Sequence, residues 1–120
     1  MTAPYKKTEG LEWEDHFMKM DGKKVDGGIK FIYTREKDGS PITVMMVALK
    51  KGATLPDHVH RDQPDLIYVL EGKATMFIDG EGEFPLLPGM VVQVPPNTLH
   101  AMRNVEEDLR VYNVFAPAIR

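Results

Sequence analysis

The sequence predicts an all-β fold, on three observations. Ten glycines and nine prolines fall almost entirely between short apolar runs, the punctuation expected when many strands are joined by tight turns. From residue 29 onward those runs recur at short, regular spacing, and many are apolar on both parities, as on strands that enclose an interior. Neither a heptad pattern nor a repeat of fixed period runs through the chain. Together these describe a β-sandwich or barrel whose inner face surrounds a cavity.

Taken in order, residues 1–28 read as a short irregular N-terminal arm of the same domain, and residues 29–120 as a single β domain. In the arm, "LEWEDHFMKM" reads equally as a short helix or an edge strand, and "DGKKVDGG" is too polar and glycine-rich for core. The strand candidates that follow are "IKFIYT", "ITVMMVALK", "LIYVLEG", "KATMFID", "EFPLLP", "MVVQVP", "LHAMRN" and "LRVYNVFAP". The turns between them include "KDGSP", "KGATLP", "GEG", Pro88-Gly89 and Pro96-Asn97. Pro88-Gly89 suits a type II turn, because proline fixes φ at the first central position and glycine takes the positive φ at the second.

Composition then removes several function classes. A chain of 120 residues, 42% of them hydrophobic, is long enough for one real core and too short for two. With no cysteine there is no disulfide, thiolate metal site or thiol nucleophile, so any metal must be held by imidazole and oxygen. The formal charge of -3, with Lys6, Lys7, Lys23 and Lys24 scattered among acids, provides no basic stripe for a phosphate backbone, so no nucleic-acid partner is expected. The opening "MTAPYKKTEG" lacks the apolar core of a signal peptide, and the run Val44–Leu49 is far too short to span a bilayer. A cytoplasmic location and no membrane partner are expected. No serine or threonine is placed as an activated nucleophile, and no glycine loop is arranged to cradle a phosphate.

What remains is histidine. His58 and His60 lie one residue apart in "PDHVHRDQPDLIYVLEG". On a helix such a pair points to nearly opposite sides, whereas on a strand both rings share a face, about 6.6 Å apart along the chain. Two rings on one face can tilt to a common first-row ion at about 2.0–2.2 Å from each nitrogen. The surrounding pattern is longer than the pair: Gly52, five residues, His58, one residue, His60, four residues, Asp65, six residues, Gly72; then Gly89, five residues, Pro95, one residue, Asn97, two residues, His100, three residues, Asn104.

These two stretches resemble the two cupin motifs, G-x5-H-x-H-x(3,4)-E-x6-G and G-x5-P-x-G-x2-H-x3-N, in the family's order, from Gly52 to Asn104. The chain departs from them twice. Asp65 stands for the usual glutamate, and Asn97 stands for a glycine, where asparagine is the non-glycine residue that best tolerates a left-handed conformation. The resemblance implies a jelly-roll β-barrel of the small single-domain cupin type. It implies one divalent transition metal inside, bound by His58, His60 and His100, usually with the acidic residue, here Asp65. Aspartate reaches one methylene less than glutamate, so the fourth position falls to Asp65 after backbone adjustment, to water, or to Gln63. From the residues themselves, His100 follows a Pro-Pro-Asn turn and so sits at a strand start, and three imidazoles with a carboxylate suit Fe, Mn, Ni, Co or Zn alike.

By resemblance, the expected function is that of a metal-dependent enzyme acting on a small organic molecule in the cavity. Three histidines with a weak or absent carboxylate resemble the cupin dioxygenases that cleave diketone, flavonol or thiol substrates, which ranks oxygenase chemistry first. A sugar or sugar-acid isomerase or lyase, or a non-catalytic small-ligand binding module, are the alternatives. A homodimer is also expected, covering the apolar outer parities of "LIYVL" and "RVYNVF". Tyr68, Arg103, Arg110, Tyr112 and Asn113 are polar candidates for substrate contact that lie on either face. The methionines read as core filler, with Met102 sharing the parity of His100, and His16, in the polar "EDHF", is set aside as a surface residue.

Overall fold

The computed structural model describes residues 4–14, 19–20 and 23–120. Among the described residues, nine strands and one short helical turn follow one another: β1 (Lys19–Met20), β2 (Lys23–Lys24), β3 (Gly27–Tyr33), α1 (Arg35–Asp38), β4 (Thr43–Leu49), β5 (Leu55–His58), β6 (Asp65–Ile78), β7 (Gly82–Leu86), β8 (Val91–Val94) and β9 (His100–Phe115). His16 lies outside the described residues. The all-β expectation holds, and every pairing among these strands is antiparallel.

Two strands are twice the expected length, and they organise everything else. "LIYVLEG" and "KATMFID" are one strand, β6, and "LHAMRN" and "LRVYNVFAP" are one strand, β9. They pair with each other from Asp65↔Phe115 at one end to Ile78↔His100 at the other. The N-terminal half of β6 and the C-terminal half of β9 sit in one layer with β8, β4 and β3; their other halves sit in a second layer with β7 and β5. This ribbon, shared by two layers, makes the jelly roll.

The sequence signals taken for strand ends are what allow the ribbon to bend. Gly72 stays within β6 at φ 96°, and a Cβ there would run into the carbonyl oxygen of Asp108 across the ladder, so only glycine fits. Register shifts flank it between Val69 and Thr75. The extra residue changes the parity of the buried face: Asp65, Ile67 and Val69 face inward before the bend, and Ala74, Met76 and Ile78 after it. In β9 the same change separates His100 and Met102 from Leu109, Val111, Asn113 and Phe115, with Asn104 at φ 49° near the bend. Without these shifts, half of each strand would turn its apolar side to water.

Three smaller features bear on the sequence reading. The segment after β3 forms α1, capped by the Thr34 side chain accepting from Lys37 N and closed by Gly39 at φ 66°; a threonine followed by "REKDG" carries that signal, and the turn expectation passed over it. Pro85 is accommodated because β7 is an edge strand. Gly89 has φ 89°, and Met90 N donates to Leu87 O, as the Pro88-Gly89 turn requires. Among the arm's described residues, Glu14 bridges Ile29 through paired backbone hydrogen bonds, which sets the arm against the edge of β3.

Candidate metal centre

The layers enclose an apolar cavity of about 330 Å³, walled by side chains such as Phe31, Met45, Val47, Leu55, Met102 and Phe115. At one wall sit His58, His60, His100, Asp65 and Asn113. Met102 is thus on the cavity wall, as its parity with His100 suggested.

The three histidines arrive by different routes. His100 opens β9 and pairs with His58, the last residue of β5. His60 lies just beyond β5, not on it: an irregularity interrupts β5 between Leu55 and His58, and the chain then turns away. The expectation that both rings share the face of one regular strand is therefore replaced by a strand end and a tether. His60 O accepts from Asn97 N, whose residue takes φ 56° in the turn leading to His100, so the loop of the first motif is tied to the turn of the second. The positive φ at Asn97 is what that substitution for glycine was expected to tolerate.

The rings converge. Their candidate ligand atoms all lie within 4.8 Å of one another, and ring centroids are 4.1 Å apart for His58 and His100 and 5.1 Å for His58 and His60. His58 Nδ1 donates to Pro56 O and His100 Nδ1 to Thr98 O, both at 2.8 Å. A carbonyl oxygen can only accept, so in each ring Nδ1 carries the hydrogen, and in the neutral ring Nε2 is left with its lone pair. This outer hydrogen bond is the arrangement that orients metal-binding imidazoles. His100 is 1% exposed, and its Nε2 is buried without a hydrogen-bond partner. An unpartnered lone pair in a dry site is costly unless something electropositive meets it.

Electrostatics favour the same state. Burial, then the neighbouring His100, push the His58 pKa down from 6.5 to about 4, and burial lowers that of His60. Both rings are thus held neutral, the form that binds a cation. The three rings fit a first-row divalent ion in ligand type, with the tautomer anchored in His58 and His100.

Asp65 is 4% exposed, and its Oδ2 lies 3.6 Å from His100 Nε2. Its other oxygen, Oδ1, accepts from Asn113 Nδ2 at 2.9 Å. Gln63 is half-buried in the loop before β6 and is not among the described residues lining the cavity. Of the polar candidates, Asn113 faces the cavity, whereas Arg103 binds Asp57 and Glu83 and Arg110 binds Glu71 on the outside. Tyr68 and Tyr112 pair across the outer face. Arg120, whose guanidinium stacks on Phe31, also lines the cavity; no motif or strand pattern singled it out.

A histidine cluster with anchored tautomers, on the wall of an apolar jelly-roll interior, defines a class of small β-barrel proteins that hold a metal beside a cavity. The family model for the cupin domain matches residues 45–115, more than half of the chain, and the chain belongs to the cupin family. Quercetin 2,3-dioxygenase of Bacillus subtilis (strain 168) is 36% identical over 69 residues, 58% of this chain and 20% of that protein. Polyketide synthase CurC of Streptomyces cyaneus is 28% identical over 97 residues, 79% of this chain and 62% of that protein. The chain thus spans less than two thirds of either relative. The solved structure of an RmlC-like cupin from Shewanella frigidimarina NCIMB 400 superposes with a TM-score of 0.79 at 21% identity, covering 99% of this chain and 95% of that one. Among the described residues, no helix is long and apolar enough to cross a membrane.

Proposed function

We propose that this cupin is a metal-dependent enzyme acting on a small, largely apolar molecule in the barrel cavity, with His58, His60 and His100 as metal ligands and oxygenase chemistry as the first reading. The observation that carries it is the convergence of three imidazoles, two with Nδ1 tied back to carbonyls, on the wall of an apolar cavity. The likeness to quercetin 2,3-dioxygenase over the motif region supports the oxygenase reading.

A bound divalent ion supplies Lewis acidity and, as Fe or Mn, redox capacity toward dioxygen. The chain's own residues do the rest. The carbonyls of Pro56 and Thr98 fix the planes of His58 and His100. Phe31, Met45 and Phe115 bind the apolar body of the substrate and exclude water. Asp65 Oδ1 is engaged by Asn113, which leaves Oδ2, beside His100, to complete the metal site or to take a proton from a bound ligand's hydroxyl. Oxygen uptake by the iron- or manganese-loaded protein with flavonols, diketones and thiols tests this reading. Turnover that proceeds equally under argon would replace it with isomerase or lyase chemistry, and ligand retention without turnover would replace it with a binding module.

The same proposal extends to assembly. Leu66, Tyr68, Leu70 and Val91 are all more than a third exposed, and they form a contiguous apolar stripe on the outer face of β6 and β8. A second copy covering this stripe makes a homodimer; light scattering at the 13.6 kDa monomer mass would overturn that.

A further inference from the structure

Among the described residues, two buried side-chain polar atoms have no hydrogen-bond partner, His100 Nε2 and Asn113 Oδ1, and both side chains line the same cavity. The metal of the proposed function accounts for the first. Nothing among the described residues accounts for the second. Asn113 is 2% exposed, and its amide orientation is fixed, because the Asp65 carboxylate accepts and must face Nδ2, so Oδ1 faces the other way. The surrounding inner face is apolar, with Ile67 and Met45 the register partners of Asn113 on the adjacent strands. A buried amide oxygen left without a donor there is expensive, and a ligand that brings an N–H or O–H removes the cost.

We infer that Asn113 is a specificity-determining residue: its Oδ1 accepts a hydrogen bond from an N–H or O–H carried by the molecule bound at the histidine cluster. The ligands of this site are therefore both metal-chelating and protic. The inference rests on the metal reading above, and it goes further by separating molecules of one shape and one chelating group according to a single hydrogen.

Benzohydroxamic acid and N-methylbenzohydroxamic acid provide that separation, since both chelate through the same two oxygens and only the first keeps an N–H. Calorimetric titration of zinc-loaded protein is expected to show the N–H compound binding about 10-fold more tightly. In Asn113→Leu the preference should shrink to within about 2-fold, and in Asn113→Thr, whose hydroxyl can serve both Asp65 and a ligand, it should partly return. Equal binding by the wild type overturns the inference whether or not the variants fold. So does a preference undiminished in Asn113→Leu, which would mark a steric effect of the methyl group. Zinc uptake with neither compound bound removes the inference and leaves the metal reading standing, whereas no zinc uptake removes both.

Discussion

The two ends of the β6–β9 ribbon meet at the site and contribute differently to it. The Ile78–His100 end brings an imidazole whose Nδ1 is spent on a carbonyl and whose Nε2 is unengaged. The Asp65–Phe115 end brings a carboxylate already half spent on Asn113. One end is arranged to donate a lone pair; the other is a hydrogen-bonded pair with one oxygen to spare. Metal affinity should therefore reside mainly at the histidine end, and ligand discrimination at the other.

Removing one side chain from each end separates the two roles. His100→Ala should lower metal affinity at least about 1000-fold, some 4 kcal/mol, measured by chelator competition. Asp65→Ala should cost only about 10- to 100-fold, the scale of an outer partner. Equal losses would mean that the carboxylate is a full ligand and that the two ends do not differ.

The histidine end also sets the pH response. With a folded pKa of about 4 against 6.5, His58 takes up a proton in the unfolded chain before the folded one. Its stabilising contribution is thus present above pH 6.5 and is lost as pH falls toward 4, up to about 3 kcal/mol, with His60 acting in the same direction. Thermal melts of the metal-free protein should drop across that window and be flat above it. A His58→Ala variant with the same profile would locate the effect elsewhere.

The bend between the ends comes next. Gly72→Ala forces a side chain into positive φ and against the Asp108 carbonyl, which should cost about 2 kcal/mol by denaturant unfolding. Smallest of all is Arg103→Ala on the outside, where the contacts to Asp57 and Glu83 are partly exposed; little or no change in the denaturant midpoint is expected. A larger loss would show that this clamp holds β5, and hence His58, in place.

The bend also explains what was legible in the sequence. The turn rhythm conveyed the fold class, and the spacing around His58, His60 and His100 conveyed the cluster, because both depend on local residue types. Gly72 and Asn104 misled in one respect: a positive φ is needed at a bulge as much as at a turn, so each long strand read as two. The parity change that follows was invisible. Met102, on the near side of it, could be placed with His100, while Asn113, on the far side, has the opposite parity and could be assigned to neither face. Arg120 reaches the cavity through a backbone anchored on Thr43, a tertiary arrangement with no local signature.

The curl of the ribbon has a kinetic side. Asp65 and His100 sit at opposite ends of the paired strands and lie side by side only because the ribbon folds over, so this contact is expected to form late. Metal added during refolding should leave the early rate unchanged and slow the reverse reaction, because an ion that binds the closed barrel and not its precursors stabilises the finished state alone.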